Sequence, residues 1–470
     1  MVIRRVLAPR IDFSALRREL ELPVRFPPAA QAEADAAAAA PPPPPVDRTD
    51  LPFVTIDPPS SMDLDQAMCL ARREGGGYRV RYAIADVSAF VPPGGELAAE
   101  TWRRGQTVYL PDGKVPLHPA VLSEGAASLL PDQVRPAVVW TIDLDADGAV
   151  RDVAVQRAAV RSRAKLNYAA VQVGVDAGRV AGPIALLPEI GRLLIERGLA
   201  RGAINLPIPA QEVEPVDSGG WRLALIAPVP VEEYNAQISL LTGMVAAQIM
   251  LAGKVGLLRT MPPPPPGALA KLRAAATSLA IGWPEGAAPG RVIASVDPGD
   301  PRGAAFLDQA AELMRGAGYT PFDGTAPDQP EQAAVAAPYA HVTAPLRRLA
   351  DRYATEACLA LHAGAEVPDW VREALPRLPE AMSTSDRRAS AANRGAIDLT
   401  EAVLLQGRVG EKFEAGVLDV EESRAVIAID DPPVRARCEG EGFALGSRVP
   451  VALTVADPAS RRVLFHKEVS

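Results

Sequence analysis

Hydrophobic and polar positions change period several times along this chain, and each change predicts a different kind of element. From Leu51 to about Gly148 the texture is that of strands: YRVRYAIADVSAFV alternates and then runs apolar, and PAVVWTIDLDADG closes in an Asp-Gly-containing turn. From Ala164 to Gly202 the period becomes helical, through LNYAAVQVGVDAG and ALLPEIGRLLIERGLARG. Residues 232–258 carry the longest apolar helical pattern. Beyond the proline run Pro262–Pro266, helices are predicted over GALAKLRAAATSLA and over 303–317, 346–363, 369–375 and 383–404. The tail alternates again: GRVGEKFEAGVLDVEESRAVIAID, PVRARCEG and SRVPVALTVADPASRRVLFHKE read as five short strands, which suits an OB-fold barrel.

Residues 1–50 read as a helical appendage. Asp12 or Ser14 caps a short helix over FSALRREL, and Pro27-Pro28 opens a second through the alanines. AAAAAPPPPP then halts that helix and stiffens into a polyproline linker. The predicted organisation is α+β, with an appendage over 1–50, a catalytic body over 51–402 and a barrel over 403–470.

Composition narrows the function classes. The 470 residues are 48% hydrophobic and 23% charged, which excludes wholesale disorder. A formal net charge of −8 excludes a polycation that holds nucleic acid by bulk charge alone, but leaves room for a local basic channel or a metal-dependent nuclease. Cys69, Cys358 and Cys438 lie far apart and form neither a disulfide framework nor a zinc-finger spacing, in keeping with a reducing compartment. MVIRRVLAPRIDF lacks the apolar core of a signal peptide, and the most lipid-like stretch, Ile238 to Leu258, is broken by Gln248 and Lys254. A cytoplasmic protein without a membrane span is expected.

The chemistry concentrates in two stretches. TIDPPSSMDLDQAM sets Asp57, Asp63 and Asp65 in one short loop after an apolar strand. Carboxylates this close repel unless a cation or water compensates, and oxygen-only ligands select Mg²⁺ or Mn²⁺ over Zn²⁺. The same spacing also fits a solvated acidic turn. An Asp63-Leu64-Asp65 phosphatase nucleophile would need its first Asp at a strand end, and PPSSM stands there instead; an EF-hand would need a glycine and terminal Glu that do not follow. The second stretch is YAHVTAPLRRLADRYATEA, in which Thr343 caps a helix with Pro345 in its first turn, leaving Arg347 and Arg348 at its positive end as a phosphate site. Its alternative is a solvated pair with Asp351 serving Arg347, and His341 alone fits a packed histidine as well as a catalyst. Between them, Tyr109 is positioned to stack on a base or to fill a strand, and RDVAVQRAAVRSRAKLNY forms a local basic strip.

Taken together and in order, TIDPPSSMDLDQA, YAIADVSAFV, TVYLPDGKVPLHPAVLSEGAASLLP and YAHVTAPLRRLAD resemble the RNB catalytic domain of the ribonuclease II / ribonuclease R family over about residues 50–400, and the tail resembles that family's C-terminal RNA-binding barrel. The resemblance implies a 3′→5′ exoribonuclease that hydrolyses single-stranded RNA to nucleoside 5′-monophosphates with Mg²⁺, or with Mn²⁺ in its place. It implies that Asp57, Asp63 and Asp65 hold metal, that Asp65 and Arg347 are catalytic, and that Tyr109, His341, Thr343 and Arg348 contact RNA. This chain departs from the pattern in three places. Gln66 stands where the acidic quartet ends in Asp, and its carbonyl oxygen is a candidate metal ligand without charge. Ala344 replaces the motif serine. Residues 1–50 cannot hold the usual cold-shock barrels. VEEYNAQISLLTGM matches only loosely, so Glu233 and Gln237 receive no role. The competing expectations are a catalytically weakened RNB-like RNA-binding or regulatory protein, and a metal-dependent phosphatase or sugar-nucleotide hydrolase, which would need neither the tyrosine nor the barrel.

Overall fold

The long apolar alternation after Val134 becomes a hairpin of Val134–Leu144 with Val150–Leu166, turned at Asp145, whose carboxylate accepts from the backbone N–H of Asp147 (3.0 Å) and Ala149 (2.8 Å). In this computed structural model, which describes residues 2–216 and 220–468, that hairpin joins Phe53–Ile56, Gln66–Arg72 and Tyr78–Ala85 in a closed five-stranded barrel. Closure comes from parallel pairing of Phe53–Ile56 with the far end of Val150–Leu166. At the Arg73–Gly77 turn only glycine fits: Gly77 has φ +81°, and a Cβ there would lie 2.2 Å from the Leu144 carbonyl oxygen.

Alternate residues of these strands serve two cores. Met68, Leu70, Val80, Tyr82, Ile84, Val138 and Trp140 belong to a large core shared with the helices Leu187–Arg201, Pro230–Gly253 and Leu349–His362. Ala67, Cys69, Ala83, Ala137 and Val139 belong to another, shared with Pro28–Ala39 and Glu96–Arg104. Burial on both faces explains why these strands read as nearly continuous apolar runs. Pro230–Gly253, long and apolar enough to cross a membrane, instead supplies Val231, Ile238, Leu241, Val245 and Met250 to the first core.

The expected α+β architecture and five-stranded C-terminal barrel are both present. The barrel is built from Lys412–Glu421, Arg424–Ile429, Arg435–Glu439, Arg448–Asp457 and Arg462–Lys467 around Val417, Ile427, Cys438, Val451 and Phe465. Two expectations need correction. Residues 1–50 are not purely helical: Val2–Ala8 is a strand paired with Trp221–Ile226, which pairs in turn with Ala210–Pro215, so the appendage is stitched into the body by a partner more than two hundred residues away. The two predicted helices do follow, as Ser14–Glu19 and Pro28–Ala39. The helical pattern 232–258 stops at Gly253; Lys254 turns the chain at φ 57°, and Val255–Thr260 is a strand paired with Gly318–Asp323. A short apolar run fits either element by periodicity alone.

The helix Leu378–Leu405 runs along the seam between the small sheet and the C-terminal barrel, and there Glu401 is 3% exposed. It accepts from Gln211 Nε2 (2.7 Å) and the backbone N–H of Arg435 (3.1 Å), and burial pushes its carboxyl up to about 7. A carboxyl raised by folding stabilises fully only below its unfolded value, so the seam weakens as pH rises from the ordinary glutamate range to about 7. Glu401→Gln keeps an acceptor and removes the charge. It should leave stability near pH 4 unchanged and raise it by up to roughly 3 kcal/mol at pH 8.5. Denaturant melts at the two pH values check this; a parallel pH dependence in wild type and variant would clear Glu401 of responsibility.

Candidate active site

The acidic loop is held from several sides. Asp57 follows the strand Phe53–Ile56, its backbone N–H donating to the Leu166 carbonyl (3.1 Å). Leu64 is fully buried, and Ser128 Oγ clamps the loop by donating to the Met62 carbonyl (2.6 Å) and accepting from Leu64 N–H (2.9 Å). Lys165 Nζ reaches over it to the carbonyls of Pro59 (2.7 Å) and Ser61 (2.5 Å). Asp65 then enters the strand Gln66–Arg72 with its carboxyl 5% exposed.

The basic stretch folds onto this loop. Asp65 Oδ1 accepts from the backbone N–H of Leu346 (2.8 Å), and Asp65 Oδ2 lies 3.7 Å from Arg347 Nε. Thr343 does not cap a helix. The helix begins at Leu349, and Arg348 stands at its cap position. Ala344 to Arg348 form a tight turn closed by Asp351, which reaches back from the first helical turn to accept from Ala344 N–H (2.7 Å). Asp351 also takes both Arg348 Nε and Nη2 at 2.9 Å, so its arginine partner is Arg348 rather than Arg347. That bidentate pair commits Arg348 to the turn, while the Arg347 side chain is 43% exposed.

The other predicted residues sit as follows. Tyr109 is 51% exposed in the hairpin Val108–Leu110 / Gly113–Val115, its hydroxyl donating to Asp63 Oδ2 (3.1 Å). His341 Nδ1 lies 2.7 Å from the Tyr319 hydroxyl, between the edges of Tyr319 and Tyr339. Burial, with Arg348 and Arg259 adding to it, holds this imidazole well below its ordinary pKa, hence neutral. Thr343 is buried, and its carbonyl accepts from Gln66 Nε2 (2.5 Å). Gln66 Oε1 in turn accepts from the Tyr82 hydroxyl (2.8 Å). The Gln66 amide thus ties the acidic loop to the arginine turn at its nitrogen and to the strand Tyr78–Ala85 at its oxygen, which keeps a second lone pair. Much of the basic strip 151–165 is likewise spent internally, Arg151 on Asp145, Arg157 on Asp86 and Glu356, and Arg163 on the Thr49 carbonyl. A basic lining appears instead on a cavity of about 560 Å³ beside Tyr319, formed by Arg259, Arg387 and Arg394 with Ser383 and Asp386.

Two carboxyls carry unresolved charge. Burial pushes Asp65 up to about 8 despite Arg347, and pushes Asp57 up to about 6 despite Lys165. Asp57 Oδ2 is enclosed and has no hydrogen-bond partner among the described residues. An orphaned carboxylate oxygen in the same loop as a second buried carboxylate fits a hard divalent cation. Among the described residues no three Asp, Glu, His or Cys side chains converge as a ready-made chelate. That matches the habit of Mg²⁺, which takes one or two carboxylates and completes its shell with water and substrate phosphate. Asp57 and Asp65 are the residues free to hold it.

Sequence reasoning missed Lys114, whose Nζ lies 2.9 Å from both Asp63 Oδ1 and Glu124 Oε1. Only the hairpin register, which sets Tyr109 opposite Lys114, brings it there. It also missed Tyr82, whose sole signal was its strand pattern.

Comparison with known proteins follows this geometry. The RNB domain profile matches residues 46–361, and the RNase II-type exonuclease C-terminal S1 domain profile matches residues 411–468. Ribonuclease R of Escherichia coli is 26% identical over 477 residues, covering 89% of this chain and 57% of the relative. Exoribonuclease 2 of Vibrio parahaemolyticus is 33% identical over 159 residues, covering 33% of this chain and 24% of the relative. The chain thus spans little more than half the length of the first and a quarter of the second. Mycoplasma genitalium RNase R in complex with ribose methylated single-stranded RNA shares the fold with a TM-score of 0.86 at 18% identity, over 97% of this chain and 77% of that one.

Proposed function

The chain belongs to the RNB domain family, and from that premise we propose that it is a divalent-metal-dependent 3′→5′ exoribonuclease acting on single-stranded RNA in the cytoplasm and releasing nucleoside 5′-monophosphates. The observation that carries this reading is the junction of the two loops, where Asp65 bonds the backbone of the turn that presents Arg347. In this reading Asp57 and Asp65 hold Mg²⁺, or Mn²⁺, which when bound lowers the pKa of the attacking water and offsets phosphate charge. Arg347 faces the scissile phosphate and stabilises the charge that builds there. Tyr109 stacks on a base near the 3′ end, a contact worth ~1–3 kcal/mol. Arg348, Thr343 and His341 act by shaping the turn and its aromatic wall, and the Arg259, Arg387 and Arg394 cavity offers phosphates a path alongside.

The second reading, an RNA-binding protein with weakened hydrolysis, draws on Gln66, which brings no charge to the site. Retention of the Asp57, Asp65 and Arg347 constellation weighs against it, since binding alone has no use for two enclosed carboxylates. A 5′-labelled oligoribonucleotide in Mg²⁺ tests both. A ladder shrinking from the 3′ end, absent on the DNA version and blocked by EDTA, is the expected result; intact RNA that shifts on a native gel would establish the binding protein instead. Arg347→Ala should lower single-turnover cleavage by ~10²–10³-fold, the scale of removing one transition-state donor, and RNA affinity by far less. Equal losses in rate and affinity would reduce Arg347 to a binding residue.

A further inference from the structure

The cations already built into the acidic site bear on how many metal ions it takes. Asp63, the middle carboxylate of the loop, has both oxygens occupied by the protein: Oδ1 by the Lys114 ammonium at 2.9 Å, Oδ2 by the Tyr109 hydroxyl at 3.1 Å. Lys114 is fixed in turn by Glu124 at 2.9 Å. Gln66 is uncharged, and its carbonyl oxygen accepts from Tyr82. Of the four positions in the loop that could ligate, two are therefore engaged by side chains, and only Asp57 and Asp65 carry oxygens without a close hydrogen-bonding partner.

The charge balance agrees. With all four carboxyls ionised, as a bound cation would hold them, Asp57, Asp63, Asp65 and Glu124 face three cations, Lys114, Lys165 and Arg347, leaving one negative charge. One divalent cation turns that into one positive charge, which a single phosphodiester neutralises. A second would leave two positive charges uncompensated beside the buried Asp65, an expensive arrangement.

We propose that this site is built for a single divalent cation, with the Lys114 ammonium standing on Asp63 where a second metal would need its ligand. The inference rests on the metal-dependent reading above, but its test reads metal and not turnover. Full-length protein is titrated with Mn²⁺ while the electron paramagnetic resonance signal of free Mn²⁺ is followed, beside the double variant Lys114→Gln, Gln66→Asp, which frees Asp63 and restores a fourth carboxylate. One equivalent is expected in the wild type and two in the double variant. If the double variant fails to melt cooperatively, Lys114→Gln alone serves, with a second, weaker equivalent expected. Two equivalents in the wild type, or one in both proteins, would overturn the role of Lys114 while leaving the metal-dependent reading intact. No saturable Mn²⁺ in the wild type would overturn that reading as well.

Discussion

Asp65→Asn should abolish hydrolysis while leaving RNA affinity within a few fold of wild type. The asparagine Oδ1 can still accept from Leu346 N–H, so the joint between the two loops survives and only the charge is lost. That charge is the one asked to hold metal beside Arg347, and losing it should cost on the order of 10³-fold or more in the chemical step. Single-turnover cleavage and filter binding on the same RNA separate the two effects. Unaltered turnover would remove the acidic loop from the chemistry altogether. Stability should move the other way. The Asp65 carboxyl is raised to about 8 by burial, so in metal-free buffer stability is lost progressively as pH rises from the ordinary aspartate range up to that value. The asparagine variant should then melt higher than wild type at pH 9 with EDTA, by a smaller margin at pH 6, with the gap closing toward pH 4. Function lost and stability gained in one substitution is the signature of a site strained for its ligand rather than for its fold.

Much of this site was legible in the sequence because its chemistry is local. Asp57, Asp63 and Asp65 lie within nine consecutive positions, and the strand before them and the single buried Leu64 fix where the loop must sit. The C-terminal barrel was legible for a related reason: alternation and turn residues are properties of short windows. What stayed hidden depends on partners distant in sequence. The partners of the Gln66 amide, Tyr82 on the neighbouring strand and the Thr343 carbonyl 277 positions away, leave no trace in its local sequence. Val2–Ala8 has too little pattern to announce a strand whose partner is Trp221–Ile226. Lys114 looks like a turn lysine beside Gly113 until the hairpin turns it toward Asp63. The start of the Leu349 helix was misread because Thr343 and Pro345 form a good local cap signal. Asp351 outcompetes it by closing the turn from within the helix, with hydrogen bonds to Ala344 and Arg348 at once.

That closure makes Asp351→Ala the substitution with the largest expected cost in stability. Asp351 is fully buried and receives three hydrogen bonds, two from the Arg348 guanidinium and one from Ala344 N–H. Removing it leaves an arginine whose side chain is 16% exposed with no carboxylate against it, and breaking a buried pair from one side costs ~3–5 kcal/mol. Asp351→Asn should cost less, since its Oδ1 still serves Ala344 while one Arg348 contact weakens. The double change Asp351→Ala, Arg348→Met should recover part of the loss, because no charge is then stranded. Urea denaturation of the three variants gives the order. If the alanine variant lost under about 1 kcal/mol, the pair would have to behave as a surface ion pair and the turn would need another support. Cleavage adds the functional half of the argument. Arg347 is presented by the turn that Asp351 closes, so at temperatures where each variant is still folded, rates should fall in the same order as stability, with affinity changing least. The arginine that faces the phosphate is held in place by its neighbour's buried partner.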